Sequence, residues 1–344
     1  MKTFLKPALL SAFTFLGLAT VPTAFAAESL EIRDFVGAIN WSNGPMAIEV
    51  EGNKGDLKVT EGSRIMIDGN IEKIDSSACK STYGRYNFDW FGKKKDGRFG
   101  GYDNLKNYPV LNITLPAGID LVIRNAVVFT DGTPDIGSAD IALPHCGSVK
   151  LGDVEKTLTL ENRGSADVTV RNTGQIEANL RGSGDLTGAQ SGDVFLKSKG
   201  SGDIELESIG WLEMNTHGSG DVEISDISGD AEISSRGSGD VELGTVEGTL
   251  TYSGHGSGDL DVTSVAGERL SLKSHGSGDI DIDGGDVDIL MISVNGSANV
   301  DYAGAADTAT LRTNGSGDIY VDQVRGTAEI KTSGSGDVDI DERG

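Results

Sequence analysis

In the second half of the chain, apolar and polar side chains alternate in short runs, and the same tetrapeptide interrupts them every 18 to 20 residues. After each interruption comes an apolar-x-apolar pair: Ile204/Leu206, Val222/Ile224, Val241/Leu243, Leu260/Val262 and Ile280/Ile282. A second break usually carries glycine, as at Gly210, Gly229, Gly248, Gly267 and Gly326. It is followed by another alternating pair: Leu212/Met214, Ala231/Ile233, Leu250/Tyr252, Leu270/Leu272 and Ala328/Ile330. A period of two with β-branched enrichment predicts strands, and the Gly-rich breaks predict turns. No comparable stretch beyond the N-terminal leader has a helical period.

The tetrapeptide is Gly-Ser-Gly-Asp, present ten times from Gly164 to Asp337, with Gly-Ser-Ala-Asp at Gly164–Asp167 and Gly-Ser-Ala-Asn at Gly296–Asn299 as variants. A degenerate earlier copy is expected to start at Gly147-Ser148. Two or three short strands per unit cannot bury an apolar face alone, but stacked units can, each strand pairing in parallel with its equivalent in the next coil. The expected fold is therefore all-β: a single-chain parallel β-helix of about ten to eleven Gly-Ser-Gly-Asp rungs. Ten rungs at about 4.8 Å make a rod of roughly 48 Å. Residues 28–145 are less regular. Strands are expected at Leu30–Ile32, Ala38–Trp41, Met46–Val50, Leu57–Val59, Ile65–Ile67, Leu111–Leu115 and Leu121–Ile123, forming irregular N-terminal coils that cover the end of the solenoid.

The first residues read as an export signal. Lys2 and Lys6 precede an apolar stretch from Ala8 to Val21, and Ala24-Phe25-Ala26 fits small-x-small cleavage between Ala26 and Ala27. The expected organisation is a signal peptide (1–26), irregular β-coils with an aromatic-basic loop (27–146, loop 80–108) and the regular solenoid (147–344). No later segment is apolar for long enough to span a bilayer. The mature chain is expected in the periplasm, at the cell surface or outside. The full chain's formal charge of −24 disfavours nucleic acid and anionic lipid as partners. Cys79 and Cys146, the only cysteines, are an even pair in an oxidising setting, so a disulfide is expected, with two separate buried thiols as the alternative.

The chain resembles the head GIN domain family, described as auto-transporter adhesins. The carrying residues are Phe35-Val36-Gly37-Ala38-Ile39, the segment Val110–Pro116 (VLNITLP) and the Gly-Ser-Gly-Asp copies. The resemblance implies an exported β-helical protein and carries over no active-site residue. Unlike an autotransporter, the chain has no predicted C-terminal barrel of alternating ten-residue strands.

Stacking turns sequence columns into rows. One row holds the Asp of each corner, and a second lies two residues later on the same outward face. The pairs Asp203/Glu205, Asp221/Glu223, Asp240/Glu242, Asp259/Asp261 and Asp279/Asp281 supply the hard oxygens that Ca²⁺ prefers, so a calcium rail is one reading. The other is architectural: Ser and Asp cap turn amides, while the basic column Arg163, Arg181, Lys199, His217, Arg236, His255 and His275 offsets the acid row across the corner. No cofactor is required on either reading.

Between Cys79 and Pro109 the composition turns aromatic and basic, with Tyr86, Trp90, Phe91, Lys93, Lys94, Lys95 and Arg98. It reads either as a cap over the core or as a recognition loop for a glycan or an envelope surface. The expected function is a non-catalytic, adhesin-like envelope module that binds through surface loops. The alternatives are a periplasmic scaffold assembling end to end, and a calcium-dependent polysaccharide-active enzyme. The uniform short turns argue against an enzyme, because the same Ser and Asp recur in every rung rather than converging once.

Overall fold

A computed structural model describes residues 27–52, 55–71, 74, 79 and 108–344. The expected parallel β-solenoid is what forms, with about 12 turns and, among the described residues, one continuous 26-stranded sheet. Among the described residues only Cys79 has helical backbone.

In the regular part, equivalent residues pair in register from coil to coil. β14 (Ile204–Thr216) lies on β13 (Leu186–Ser198), with Ile204 opposite Leu186 and Leu212 opposite Val194. β15 (Val222–Ile227) and β16 (Ala231–Ser235) lie on the two halves of β14, and β17 (Val241–Val246) and β18 (Leu250–Gly254) follow on them. Alternation decides the facing. Ile204, Leu206, Leu212 and Met214 are at most 2% exposed, while Glu205 and Glu207 between them face solvent. A one-residue slip would turn this apolar set outward, so burial fixes the register. Each fully buried aliphatic side chain contributes about 1.5–3 kcal/mol, and the columns join into one core from Leu30 to Val324.

Two interior columns depart from aliphatic packing. Tyr252 and Tyr302 are buried in the core, and each stands beside a glycine two residues on. A Cβ at Gly254 would lie 2.9 Å from the Tyr252 ring, and one at Gly304 would lie 2.5 Å from that of Tyr302. The Tyr302 hydroxyl donates to the Ala305 carbonyl at 3.0 Å. Burial pushes the Tyr252 hydroxyl up to about 12 and raises that of Tyr302 as well.

At the N-terminal end, stacking order and chain order differ. β1 (Ser29–Arg33) lies between β5 (Arg64–Asp68) and β7 (Asp120–Arg124), parallel to both. Likewise β2 (Val36–Asn43) lies between β6 (Val110–Leu115) and β8 (Val127–Thr130). The coil that comes first in sequence is therefore second in space. Beyond it, β3 (Ala47–Glu51) runs antiparallel to β6, and β4 (Lys58–Thr60) antiparallel to β5. These reversed strands cover part of the edge that an in-register ladder would leave open. The irregular coils join the regular ones without a break in pairing, through β9 (Ala139–Leu143) to β11 (Val154–Asn162) and β10 (Cys146–Lys150) to β12 (Ser165–Leu180).

The expected early copy at Gly147-Ser148 is corrected by this register. Gly147 pairs with Ala166 and Ser148 with Asp167, so they occupy the third and fourth corner positions, with Cys146 opposite Ser165 at the second. A two-letter match could not reveal that two-residue offset.

Candidate functional site

The corner is built backbone first. The first glycine of each copy stacks on that of the preceding coil so closely that a Cβ at Gly218 would run into the Gly200 carbonyl oxygen. The following serine amide donates to that same carbonyl: Ser201 to Gly182 at 3.0 Å, and Ser219 to Gly200 at 3.1 Å. Inside the corner, short polar side chains fill the column before the basic one. Ser198, Thr216, Ser235, Ser274 and Thr313 are all buried. Thr216 Oγ1 lies 3.2 Å from Ser235 Oγ, and Thr313 Oγ1 donates to the Gly317 carbonyl at 3.0 Å. Sequence reasoning missed this inner polar column; its signal was a run of Ser and Thr at one fixed offset from the corner.

The corner aspartates form a chain of caps. Asp185 Oδ1 accepts the Asp203 amide, Asp203 the Asp221 amide, Asp221 the Asp240 amide and Asp240 the Asp259 amide, each at 2.9 Å. The series continues from Asp259 to Asp279 at 2.8 Å and from Asp279 to Asn299 at 2.7 Å. Asn299 keeps it intact, accepting the Asp318 amide through its own Oδ1 at 3.1 Å.

The second acid row is also in register: Glu205, Glu223, Glu242, Asp261, Asp281 and Asp301 pair in succession, followed by Tyr320. Partial burial, then the charges of neighbouring carboxylates, raise the Asp261 and Asp281 carboxyls above their ordinary range. Desolvation raises Asp167 too, against the pull of the Asp185 amide. Among the described residues, no three His, Cys, Asp or Glu side chains gather as a compact metal cluster.

The basic row is where the structure corrects the expectation most. No ion pair within 4.0 Å joins it to the corner aspartates among the described residues. Arg163 instead pairs with Glu161, near the end of β11, at 2.5 Å, and Arg181 Nε donates to Asn179 at 3.2 Å. Each partner lies two residues back along the chain, on the same face of the corner. Arg163, Arg181, Lys199, His217 and Arg236 line one side of an open groove of about 820 Å³, with corner glycines and serines as the rest of its lining. His255 and His275 continue the row with rings stacked 4.8 Å apart.

Cys79 and Cys146 form the expected disulfide, with Cα atoms 5.6 Å apart. It ties the segment between β5 and β6 to the start of β10, beside a small cluster of Val36, Ile74 and Val127. Ala27 packs against the end of the main core. Ala26 and the loop residues Tyr86, Trp90, Phe91, Lys93, Lys94, Lys95 and Arg98 lie outside the described residues.

Fold and corner together define a parallel β-solenoid built on a glycine-floored, aspartate-capped repeat. The chain belongs to the family described as "Putative auto-transporter adhesin, head GIN domain", whose model matches residues 153–264 and 247–343. No curated protein is matched by sequence. Solved structures similar to it include the following two. A putative adhesin from Bacteroides fragilis is 13% identical, with 94% of this chain and 97% of that one covered and a TM-score of 0.24. A putative lipid binding protein from Parabacteroides distasonis is 12% identical, with 91% and 92% covered and a TM-score of 0.23. No helix among the described residues is long and apolar enough to cross a membrane.

Proposed function

We infer that the protein is a non-catalytic, exported, adhesin-like module of the cell envelope that binds through surface features of a stiff β-helical rod. The supporting observation is what the recurring carboxylates do: each corner aspartate from Asp185 to Asp279 holds the amide of the next coil. Residues that serve the backbone in this way are architecture, and a catalytic site needs acid, base and nucleophile converging at one place. The recognition element on this reading is the segment between β5 and β6, where Tyr86, Trp90 and Phe91 supply stacking faces and Lys93, Lys94, Lys95 and Arg98 supply charge. The test is retention of the mature chain on intact cells and isolated envelope glycans, compared with a chain lacking residues 85–102. Loss of retention with an unchanged far-UV spectrum supports the reading. Equal retention removes the loop from it, and release of sugar fragments overturns the non-catalytic assignment.

A further inference from the structure

The basic groove is at odds with the protein that carries it. The chain holds 53 acidic and 29 basic residues, yet Arg163, Arg181, Lys199, His217 and Arg236 occupy one side of one corner over five successive coils. All five are exposed, and they lie about 4.8 Å apart per coil, a strip of roughly 19 Å. Arg163 is paired with Glu161, but Arg181, Lys199 and Arg236 have no carboxylate within 4.0 Å among the described residues, and like charges so spaced repel one another. Arg236 Nη1 lies 3.3 Å from the His217 imidazole rather than against a carboxylate. The row also has a definite end: after His255 and His275 the same column reads Asn295, Asn314 and Ser333.

The groove is shallow and open along this face of the corner. Its glycine floor carries no side chains, and the serine amides beneath it are already bonded to glycine carbonyls of the preceding coil. What remains for a ligand is the cationic wall and the hydroxyls of Ser183, Ser201, Ser219 and Ser238. We propose that this groove binds a linear acidic polysaccharide lying along the rod axis, one uronate-type ring per coil, with carboxylates on the basic wall and ring hydroxyls toward the serines. An extended polyuronate places its charges about one ring apart, on the same scale as the coil repeat. A nucleic-acid duplex carries about one charge per 1.7 Å of its axis, more than a strip of one basic residue per coil neutralises, and a single strand is distinguished by the titration below. The proposal names a partner class within the adhesin-like reading above and rests on it, but uses a surface remote in sequence from the aromatic loop.

The test is titration of the mature protein with a defined oligogalacturonate, a neutral oligosaccharide of equal length and a single-stranded oligonucleotide. The comparison variant is Arg181→Ser/Lys199→Ser/Arg236→Ser, exposed positions at which folding is checked by far-UV spectrum and melting temperature. The expected result is saturable binding of the oligogalacturonate alone, weakened about tenfold or more in the variant and reduced by added salt. Undiminished binding in the folded variant overturns the groove, as does no binding by the parent or tighter binding of the oligonucleotide. Should the variant fail to fold, the single change Lys199→Glu serves in its place and must weaken binding. Retention on cells, measured in parallel with the variant lacking residues 85–102, separates failure of the groove from failure of the adhesin-like reading.

Discussion

The Asp259 carboxylate accepts the backbone N–H of Asp279, 2.8 Å away and one full coil further along the chain. Side chain and amide belong to the same column, so each aspartate is capped by its predecessor and caps its successor.

This arrangement separates two substitutions that look alike on an acidic surface. Asp259→Asn retains an oxygen acceptor, as Asn299 does naturally. Asp259→Ala leaves the Asp279 amide to water and is expected to cost about 1 kcal/mol, as for lost turn and helix caps. Chemical denaturation of the two variants should place the Asn form near the parent and the Ala form below it. Equal losses would mean that charge, not the acceptor, is what the column needs.

The second acid row has the opposite character. The Asp261 and Asp281 carboxyls are raised in the folded chain, so between their ordinary value and the raised one the folded state holds more protons than the unfolded. By linkage their contribution to stability falls as pH rises through that window and is regained on acidification. Asp68 and Asp286, held low by Arg33 and Arg325, act in the reverse sense and lose their contribution as pH falls. Asp261→Asn/Asp281→Asn should therefore raise the melting temperature slightly at pH 7, by less than about a degree for solvent-screened groups on a chain this long, with no gain at pH 3. A variant that melts lower at pH 7 would contradict this sign.

The same row is the place to test calcium, which we propose as a weak multi-site ligand. Millimolar Ca²⁺ should raise the melting temperature more than Mg²⁺ at equal ionic strength, because Mg²⁺ dehydrates reluctantly. Replacing Asp259, Asp261, Asp279 and Asp281 by Asn should erase the difference. If both ions and plain salt act alike, the rows are screened surface charge and the ion has no specific seat.

The Cys79–Cys146 bridge closes a loop across 67 residues of sequence. In the chain-entropy model such a closure stabilises by about 4 kcal/mol. The denatured, unreduced mature protein should show no free thiol, and Cys79→Ser/Cys146→Ser should denature at markedly lower denaturant concentration. An unchanged midpoint would show that the end coils are held by packing alone.

Glycine at the first corner position gives a sharper contrast. At Gly218 an added methyl would strike the Gly200 carbonyl oxygen, whereas at Gly210 the nearest atoms lie 3.2 Å away. Gly218→Ala should cost about 1–3 kcal/mol, the range for overpacked sites, and Gly210→Ala much less. Comparable melting points would mean that the coils slide apart easily.

Much of this was legible because a solenoid writes its fold as a period. The alternation around Ile204 and Leu206 gave their burial, and the spacing of the corners gave the stack. What eluded the sequence depends on reach and direction. Nothing in the letters says that Arg163 turns to Glu161 rather than across the corner, or that Asp185 addresses the next coil's amide instead of its own turn. The insertion of β1 between β5 and β7 was equally hidden, because an irregular coil carries no register mark. The offset of Gly147 failed for the same reason, where only two of four letters were present.

The aspartate chain refers only to its immediate neighbour, and it runs unbroken through coil lengths of 18, 19 and 20 residues. Nothing in the contacts therefore counts the coils. Duplicating or deleting one interior repeat would leave every remaining corner aspartate with an equivalent partner in its new neighbour. Such a design lets a lineage change the molecule's reach by copy number, while a cationic strip written into a few particular coils moves along the rod as an intact cassette.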